Sequence, residues 1–200
     1  MIKDSEVNIL EISKKNQERA FSIIQEIQLI EYWNLYGAKV NLVGSLRTGL
    51  LMKNKDIDFH IYSDQFSIID SYGSVALIAN NPKIKRVSYT NLIDTEEKCL
   101  EWHMWYQDND NEYWQIDMIH ILNESPYAGR FEMVADRINF VLTPEYKIAI
   151  LSIKNDIPDG EKVMGIEIYQ AVIRDGVKNY SDFVYWKKKQ NQAGIIDWMP

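Results

Sequence analysis

Apolar positions recur at helical spacing through the first part of the chain. From about residue 5 to residue 36, isoleucine and alanine side chains return every three or four residues, which predicts a helix that ends before Gly37. Two short strands are then expected, at residues 38–43 and 56–62, the second with strict alternation of polar and apolar residues. Residues 66–80 read as a second long helix, closed by Asn80, Asn81 and Pro82.

Three more strands are predicted at residues 84–92, 98–107 and 112–122. The polar run Asp108–Asn111 between the last two predicts a hairpin turn. Calcium binding there is disfavoured, because the run lacks the glycine and distal glutamate of an EF-hand loop. A helix at 125–137 and a last strand at 138–142 should follow, and from Thr143 onward the pattern is mostly helical. We therefore expect an α+β core with a mixed β-sheet flanked by helices over residues 1–135, and a helical C-terminal lobe over 136–200.

Charge and composition narrow the classes of partner. The chain has 200 residues, a net charge of −7 and only one basic cluster, Lys187–Lys189, which is expected to be a solvated helix face. Proteins that grip long nucleic acids usually present a strongly basic face, so a long nucleic acid is a poor candidate partner. No apolar run reaches the roughly 18 to 20 residues of a membrane span, and no cleavable signal is visible near Met1. Together with the single Cys99, expected to be a buried strand residue, these features favour a cytoplasmic protein.

One stretch carries the most chemical information. Gly44 and Ser45 end the first predicted strand in a tight turn, where free backbone N–H groups and a serine hydroxyl can bind phosphate. Arg47 follows and could assist with a phosphate, or equally lie on the surface. After a gap of ten residues, Asp56 and Asp58 occupy alternate positions of the second strand. Because residues i and i+2 point to one face of a strand, the two carboxylates should project together, where their repulsion favours a bound cation such as Mg²⁺.

A third carboxylate interrupts an apolar strand. Asp117 lies between Ile116 and Met118, and a charge in a buried strand is costly unless it is paired or bound to metal. Pairing with a buried basic residue is the structural alternative. Three acids on adjacent strands beside a phosphate-binding turn nevertheless describe a two-metal phosphoryl-transfer site.

This arrangement of Gly-Ser, Asp-x-Asp and a later strand aspartate resembles the DNA polymerase β nucleotidyltransferase superfamily, over residues 35–122. The resemblance implies that Gly44 and Ser45 hold the triphosphate of a nucleotide, with ATP as the default. It also implies that Asp56 and Asp58 bind two Mg²⁺ ions, and that Asp117 completes the catalytic metal site and helps to activate the acceptor hydroxyl. The run Arg47–Gly49 departs from the Ala-Arg-Gly form common in small bacterial members, which leaves the role of Arg47 open.

The acceptor is the open part of this hypothesis. Small acidic members with a helical C-terminal lobe resemble aminoglycoside and lincosamide nucleotidyltransferases, so a small-molecule hydroxyl acceptor, and specifically a cationic antibiotic, is expected. Adenylylation of a protein, as in antitoxin-type members, and an inactive nucleotide-binding or interaction module are the alternatives.

The histidines and aromatic side chains have weaker predicted roles. His60 shares the face of Asp56 and Asp58 and could lie at the edge of the site, although a structural role is favoured; His120 should point away from Asp117. His103 belongs to an aromatic group that could form an acceptor-binding wall, although packing in the core and hairpin is favoured. The other members of that group are Trp102, Trp105, Tyr106, Tyr113 and Trp114.

Overall fold

The computed structural model describes residues 4–190 and 198–200. This part of the chain contains five strands and eight α-helices, with one π-helical turn at Gln170–Arg174. The strands are β1 (Lys39–Leu42), β2 (Asp56–Ser63), β3 (Ile84–Asn91), β4 (Leu100–Gln107) and β5 (Tyr113–Leu122). The helices are α1 (Asp4–Glu26), α2 (Leu29–Leu35), α3 (Gly44–Arg47), α4 (Ile68–Ala79), α5 (Arg130–Val141), α6 (Pro144–Asp156), α7 (Gly165–Tyr169) and α8 (Tyr180–Lys189).

The five strands form one mixed sheet in the order β1-β2-β5-β4-β3. Strands β2 and β5 are parallel, and every other neighbouring pair is antiparallel. The predicted α+β fold with a mixed sheet flanked by helices is therefore confirmed. The parallel pairing of β2 with β5 matters most for function, because it places two strands that are far apart in sequence side by side.

Alternation along the strands gives the sheet two unlike faces. One face is apolar and packs against α1, α2 and α4, which contribute the fully buried Ile23, Leu29 and Ile78. The strand residues in this core are Ile57, Phe59, Ile61, Trp102, Met104, Tyr106, Trp114, Ile116 and Met118. Because these residues alternate with polar ones, the opposite face is left with the acidic and aromatic side chains.

The N-terminal segment forms two helices instead of the single helix predicted for residues 5–36. Gln28 has a left-handed backbone (φ 50°, ψ 39°), which ends α1 and redirects the chain into α2. Ile27 and Leu29 on either side of it are both buried against the sheet. The bend thus allows both helices to bury apolar side chains, a tertiary effect that periodicity does not report.

The C-terminal part is helical, as expected, but the predicted strand at 138–142 is wrong. These residues belong to α5, which begins after Gly129, whose backbone is left-handed (φ 74°). Ala135 and Ile138 lie one turn apart and both are buried, so the short apolar run marks one face of a helix. Helix α5 also runs through the expected boundary between residues 135 and 136, which stays a prediction.

A second apolar cluster holds α5 to α8 together and includes two residues from the loop before β2. Leu50 and Met52 pack with Ile138, Ile150 and Leu151. This cluster fixes the helical part beside the amino-terminal end of β2, where Asp56 lies. No helix among residues 4–190 and 198–200 is long and apolar enough to cross a membrane.

Candidate active site

The polar face of the sheet carries two rows of side chains that run across four strands. In the first row, Asp58 of β2 lies opposite Asp117 of β5, which lies opposite His103 of β4 and then Ser88 of β3. In the second row, the successive neighbours are Asp56, Gln115, Trp105 and Arg86. The register thus brings the three predicted acids together, with Asp58 and Asp117 as direct cross-strand neighbours.

The turn between β1 and α3 closes directly onto Asp58. The backbone N–H of Val43 donates to the carbonyl of Asp58 at 2.9 Å. Gly44 has a left-handed backbone (φ 66°), and a Cβ atom on it would lie 2.0 Å from Asp58 Oδ2. Only glycine fits this approach, because a side chain would collide with the carboxylate. The predicted phosphate-binding turn and the predicted acids therefore form one site.

Burial and neighbouring charges raise the pKa of two of the acids, Asp58 and Asp56. Burial, followed by the charges of Asp56 and Asp117, raises the pKa of Asp58 from its usual 3.8 to about 7. Burial and the charge of Asp117 also raise the pKa of Asp56. Because the nearby ammonium of Lys154 opposes both shifts only in part, the site retains excess negative charge when the acids are ionised.

Asp117 is held by two side chains that the sequence did not assign to the site. His103 Nδ1 lies 2.6 Å from Asp117 Oδ1, and the side-chain amide of Gln115 donates to both oxygens at 2.9 and 3.1 Å. His103 Nε2 points toward Glu101, with 3.9 Å between the nitrogen and Oε2. These donors orient the carboxylate, a role typical of groups around a metal ligand.

Lys154 is a third residue missing from the predicted site. It reaches from α6 toward the site, and its ammonium donates to the carbonyl of Leu50 at 2.8 Å and to the hydroxyl of Tyr169 at 3.0 Å. Lys154, Ser45 and Asp56 line one narrow cavity of about 60 Å³. The signal in the sequence was a single lysine between the buried Leu151, Ile153 and Ile157, but its target depends on how the helices dock.

A larger cleft of about 720 Å³ opens beside Asp56 and Asp117. Its walls come from the start of β2, the start of β5, the segment 160–167 and α8. Several basic residues of its wall are neutralised locally: Lys55 pairs with Glu112, and Lys187 with Glu167. The cleft is large enough for a nucleoside and touches the acids on one side only.

The side chain of Arg47 makes its contacts with residues other than Asp56, Asp58 and Asp117. Its guanidinium contacts Asp136 Oδ1 at 2.7 Å and donates to the carbonyl of Leu42 at 3.1 Å, so it ties α3 to α5. The predicted contact of Arg47 with a phosphate is not favoured by this geometry, because both partners hold the side chain elsewhere. Its role in nucleotide binding stays a prediction.

The remaining histidines are structural in their contacts. His60 shares the face of Asp56 and Asp58, as expected, but its ring packs edge-on against Phe131 (4.7 Å between centroids) and Nδ1 lies 3.3 Å from the Tyr62 hydroxyl. Burial lowers the pKa of His60. His120 points to the other face, against Trp33, and burial lowers its pKa to about 4.

The aromatic group divides between the two faces. Trp102, Tyr106 and Trp114 are buried in the core, whereas Trp105 and Tyr113 lie on the polar face. Asp108 caps the hairpin: it accepts from the backbone of residues 110 and 112 and from the Trp114 indole. This use of its oxygens explains the acidic turn without calcium. Cys99 is buried, which raises the pKa of its thiol to about 11 and makes it a weak nucleophile.

The donor set of the site has the chemistry that Mg²⁺ requires. Asp56 and Asp58, whose pKa values are raised, and Asp117 offer the carboxylate oxygens that this ion prefers as ligands. Within the described ranges, no three His, Cys, Asp or Glu side chains converge on one point as a finished metal site. Asp58 lies against Gly44, and Asp117 is engaged by His103 and Gln115. The residues fit the ion in type and location, and their metal-binding role stays a prediction.

Comparison with known proteins supports the interpretation of the fold. A family model described as a nucleotidyltransferase domain matches residues 22–117, which include every strand up to Asp117. Curated protein sequences gave no match.

Three solved structures illustrate the likeness. The non-canonical poly(A) polymerase complex GLD-2–GLD-3 is similar at a TM-score of 0.56 and 12% identity, covering 96% of this chain and 66% of that one. Cid1, described with RNA terminal uridylyl transferase activity, gives 0.59 at 14% identity, covering 86% and 54%. A cytoplasmic RNA terminal U-transferase gives 0.53 at 13% identity, covering 85% and 51%. The chain thus spans between half and two thirds of these relatives, and at such identities the likeness concerns the fold.

Proposed function

We propose that this protein, whose residues 22–117 match the model of a nucleotidyltransferase domain, transfers a nucleotidyl group from a nucleoside triphosphate to a hydroxyl group of a small molecule. ATP is the proposed donor and pyrophosphate the second product. The observation that carries the proposal is the cross-strand pair Asp58 and Asp117, which lies against the Gly44 turn.

The phosphates of the nucleotide are assigned to the turn and to α6. Gly44 allows the backbone to approach closely, Ser45 offers a hydroxyl donor, and Lys154 brings an ammonium to the same narrow cavity. The base and ribose are assigned to the larger cleft, which begins at Asp56 and is long enough for a nucleoside. The sites for phosphate and for nucleoside therefore meet at the acids.

The three acids are assigned to Mg²⁺. Asp56 and Asp58 would hold the ions and Asp117 would complete the second position; the bound ions would neutralise the charge of the phosphates and lower the pKa of the acceptor hydroxyl. His103 and Gln115 keep the carboxylate of Asp117 directed at the reacting position through their hydrogen bonds.

The reaction balances as an in-line displacement. The O–H bond of the acceptor breaks, and its proton passes to Asp117 and on to solvent. The acceptor oxygen forms a bond to the α-phosphorus, the bond from that phosphorus to the bridging oxygen breaks, and pyrophosphate leaves with the electron pair. Lys154 faces the charge that develops on the leaving group, which is stabilising because it is already in place.

A small acceptor agrees with the charge of the chain. At −7, the protein lacks the excess of basic residues that a long nucleic acid demands. The similar solved structures include enzymes named for acting on RNA, so an RNA end is a necessary arm of the test.

The experiment measures pyrophosphate release with each of the four nucleoside triphosphates and Mg²⁺. Four acceptor arms are compared: a small-molecule panel that includes an aminoglycoside, a protein extract with labelled nucleotide, a short oligoribonucleotide, and no acceptor. We expect release with ATP only when small molecules are added, and none from Asp117→Asn. Asp94→Asn, in the exposed loop after β3, is the matched control and should keep full activity.

Transfer of the labelled nucleotide to a protein or to RNA would show that this macromolecule, and not a small molecule, is the acceptor. Binding of nucleotide with no turnover in any arm would mean that the domain is an inactive module.

A further inference from the structure

An exposed arginine is stacked on the polar face two strands away from Asp117. The guanidinium carbon of Arg86 lies 4.2 Å from the centre of the Trp105 ring, at the end of the second row. Within residues 4–190 and 198–200, Arg86 makes no hydrogen bond or ion pair with a carboxylate. A guanidinium that is flattened on an aromatic ring keeps its N–H fork free for an anion.

The position of this arginine relates directly to the reacting centre. Trp105 lies on β4, next to the strand of Asp117, and one side-chain step further along the sheet. Two strand spacings and an offset of two residues separate Arg86 from Asp117 by roughly 12 Å, measured between backbone positions across the sheet face. Glu101, His103 and Trp105 keep part of their surface exposed, so a molecule can lie between the two points.

We propose that Arg86 and Trp105 form the acceptor subsite and that the acceptor is a small phosphorylated hydroxyl compound, such as a sugar or polyol phosphate. This inference rests on the proposed function. The hydroxyl would lie at Asp117 while the phosphate takes the Arg86 fork, because a planar guanidinium binds phosphate through two parallel hydrogen bonds. A hydrogen bond at each end takes up roughly 3 Å, so a separation of roughly 12 Å leaves a span that suits the two ends of a pentose or hexose phosphate.

The charges on this face favour a single phosphate over a polynucleotide. The outward side chains of β3 and β4 here are Arg86, Ser88, Thr90, Glu101, His103, Trp105 and Gln107. Arg86 is the one permanent cation among them, and Glu101 would repel the next phosphate of a strand. A polynucleotide requires a track of basic residues. An unpaired arginine also disfavours the cationic antibiotic that the net charge alone suggested.

Binding can be measured without turnover. Isothermal titration of the whole protein uses ribose 5-phosphate, glucose 6-phosphate and glycerol 3-phosphate, each beside its unphosphorylated parent. We expect at least one phosphorylated member to bind tighter than its parent by roughly tenfold or more, since a charge-assisted bond is lost without it. Inorganic phosphate should compete.

Substitutions on one strand separate the role of Arg86 from general charge. Arg86→Gln should remove the preference for the phosphorylated member, and Arg86→Lys should keep part of it. Lys85→Gln is the matched control: this neighbouring cation lies in the irregularity of β3 before Arg86, and its ammonium donates to the carbonyl of Pro82. It should leave the preference unchanged.

The outcomes decide between this subsite and the proposed function. Asp58→Asn should lose turnover but still bind the sugar phosphate. Binding by isothermal titration therefore tests the subsite even if the proposed reaction is wrong. Equal binding of phosphorylated and parent compounds, or a preference that survives Arg86→Gln, overturns the inference. An oligoribonucleotide whose binding falls with Arg86→Gln, when no sugar phosphate binds, overturns it in favour of an RNA end.

Discussion

The two faces of the central sheet come from the same strands but do different work. On β2, Ile57 and Phe59 are 0% and 2% exposed in the core, while Asp56 and Asp58, which alternate with them, project to the other side. The apolar face is buried by three helices and supplies stability. The polar face holds the acids, where burial, followed by the charges of Asp56 and Asp117, raises the pKa of Asp58.

This comparison shows that adjacent residues of one strand can serve different properties, one the stability of the fold and the other the chemistry of the site. On β2, Phe59 stabilises the folded state by burial, whereas the adjacent Asp58 destabilises it because its charge is buried beside other carboxylates. A charged cluster that opposes folding is retained where something else stabilises it, and a divalent cation with phosphates is the partner assigned here. Substitutions on the two faces should therefore differ in which measurement they change.

Adjacent substitutions on β2 provide the sharpest contrast. Phe59→Ala should lower the free energy of unfolding by about 3–5 kcal/mol, because it removes a fully buried ring and leaves a cavity. Asp58→Asn should leave the protein folded but lower the rate of nucleotidyl transfer by roughly a hundredfold to a thousandfold or more. Chemical denaturation and the pyrophosphate assay measure the two effects.

The functional readout must be compared in folded protein, so both variants are assayed below the Phe59→Ala unfolding midpoint. Folded Phe59→Ala should keep most of its turnover. If Asp58→Asn unfolded the protein while Phe59→Ala did not, the division between the faces would be wrong.

Much of the site follows from local sequence. The shared face of Asp56 and Asp58 needs only the two-residue period of a strand, and the Gly44–Ser45 turn needs only the end of an apolar run. Asp117 stands out because a charge interrupts an otherwise apolar strand. These features depend on residues within a few positions of one another.

The other contacts depend on pairing and docking over long distances. His103 meets Asp117 only because the hairpin aligns Gln107 with Tyr113, and a shift of one residue would turn His103 to the core. The sequence offered one signal for this contact, the position of the hairpin turn, because counting residues outward from Gln107 and Tyr113 on either side of it pairs His103 with Asp117. Lys154 reaches the site through the packing of α6, and Gln28 takes its left-handed backbone because of burial on both sides. Local sequence patterns predict neither the reach of Lys154 nor the left-handed backbone of Gln28.

The electrostatic cost of the polar face predicts a pH dependence. The folded-state pKa of Asp58 is about 7, above its usual 3.8, so the folded protein binds the extra proton between these values. Stability of the metal-free protein should therefore fall as pH rises from about 4 to about 7 and then level off. Asp58→Asn lacks this cost and should gain on the order of a few kcal/mol relative to the wild type at pH 8.

Urea unfolding of both proteins between pH 4.5 and 8, with chelator present, tests the shift. Their difference in unfolding free energy should grow with pH, and Mg²⁺ should stabilise the wild type more at pH 8 than at pH 5. A difference in unfolding free energy that stays constant across that pH range would show that ionisation of Asp58 does not destabilise the folded protein.

A pair of glycines measures how tightly the turn is pressed onto the acids. Gly37 and Gly44 have similar left-handed backbones (φ 73° and 66°), but a Cβ atom would meet nothing within 4 Å at Gly37 and would meet Asp58 Oδ2 at 2.0 Å at Gly44. Gly37→Ala should therefore cost only the backbone strain, about 1 kcal/mol. Gly44→Ala should cost about 1–3 kcal/mol more, because Asp58 must move, and should also abolish transfer. Thermal unfolding and the pyrophosphate assay compare the two variants, and equal losses of stability with activity intact in both would mean that the turn and Asp58 are not in contact.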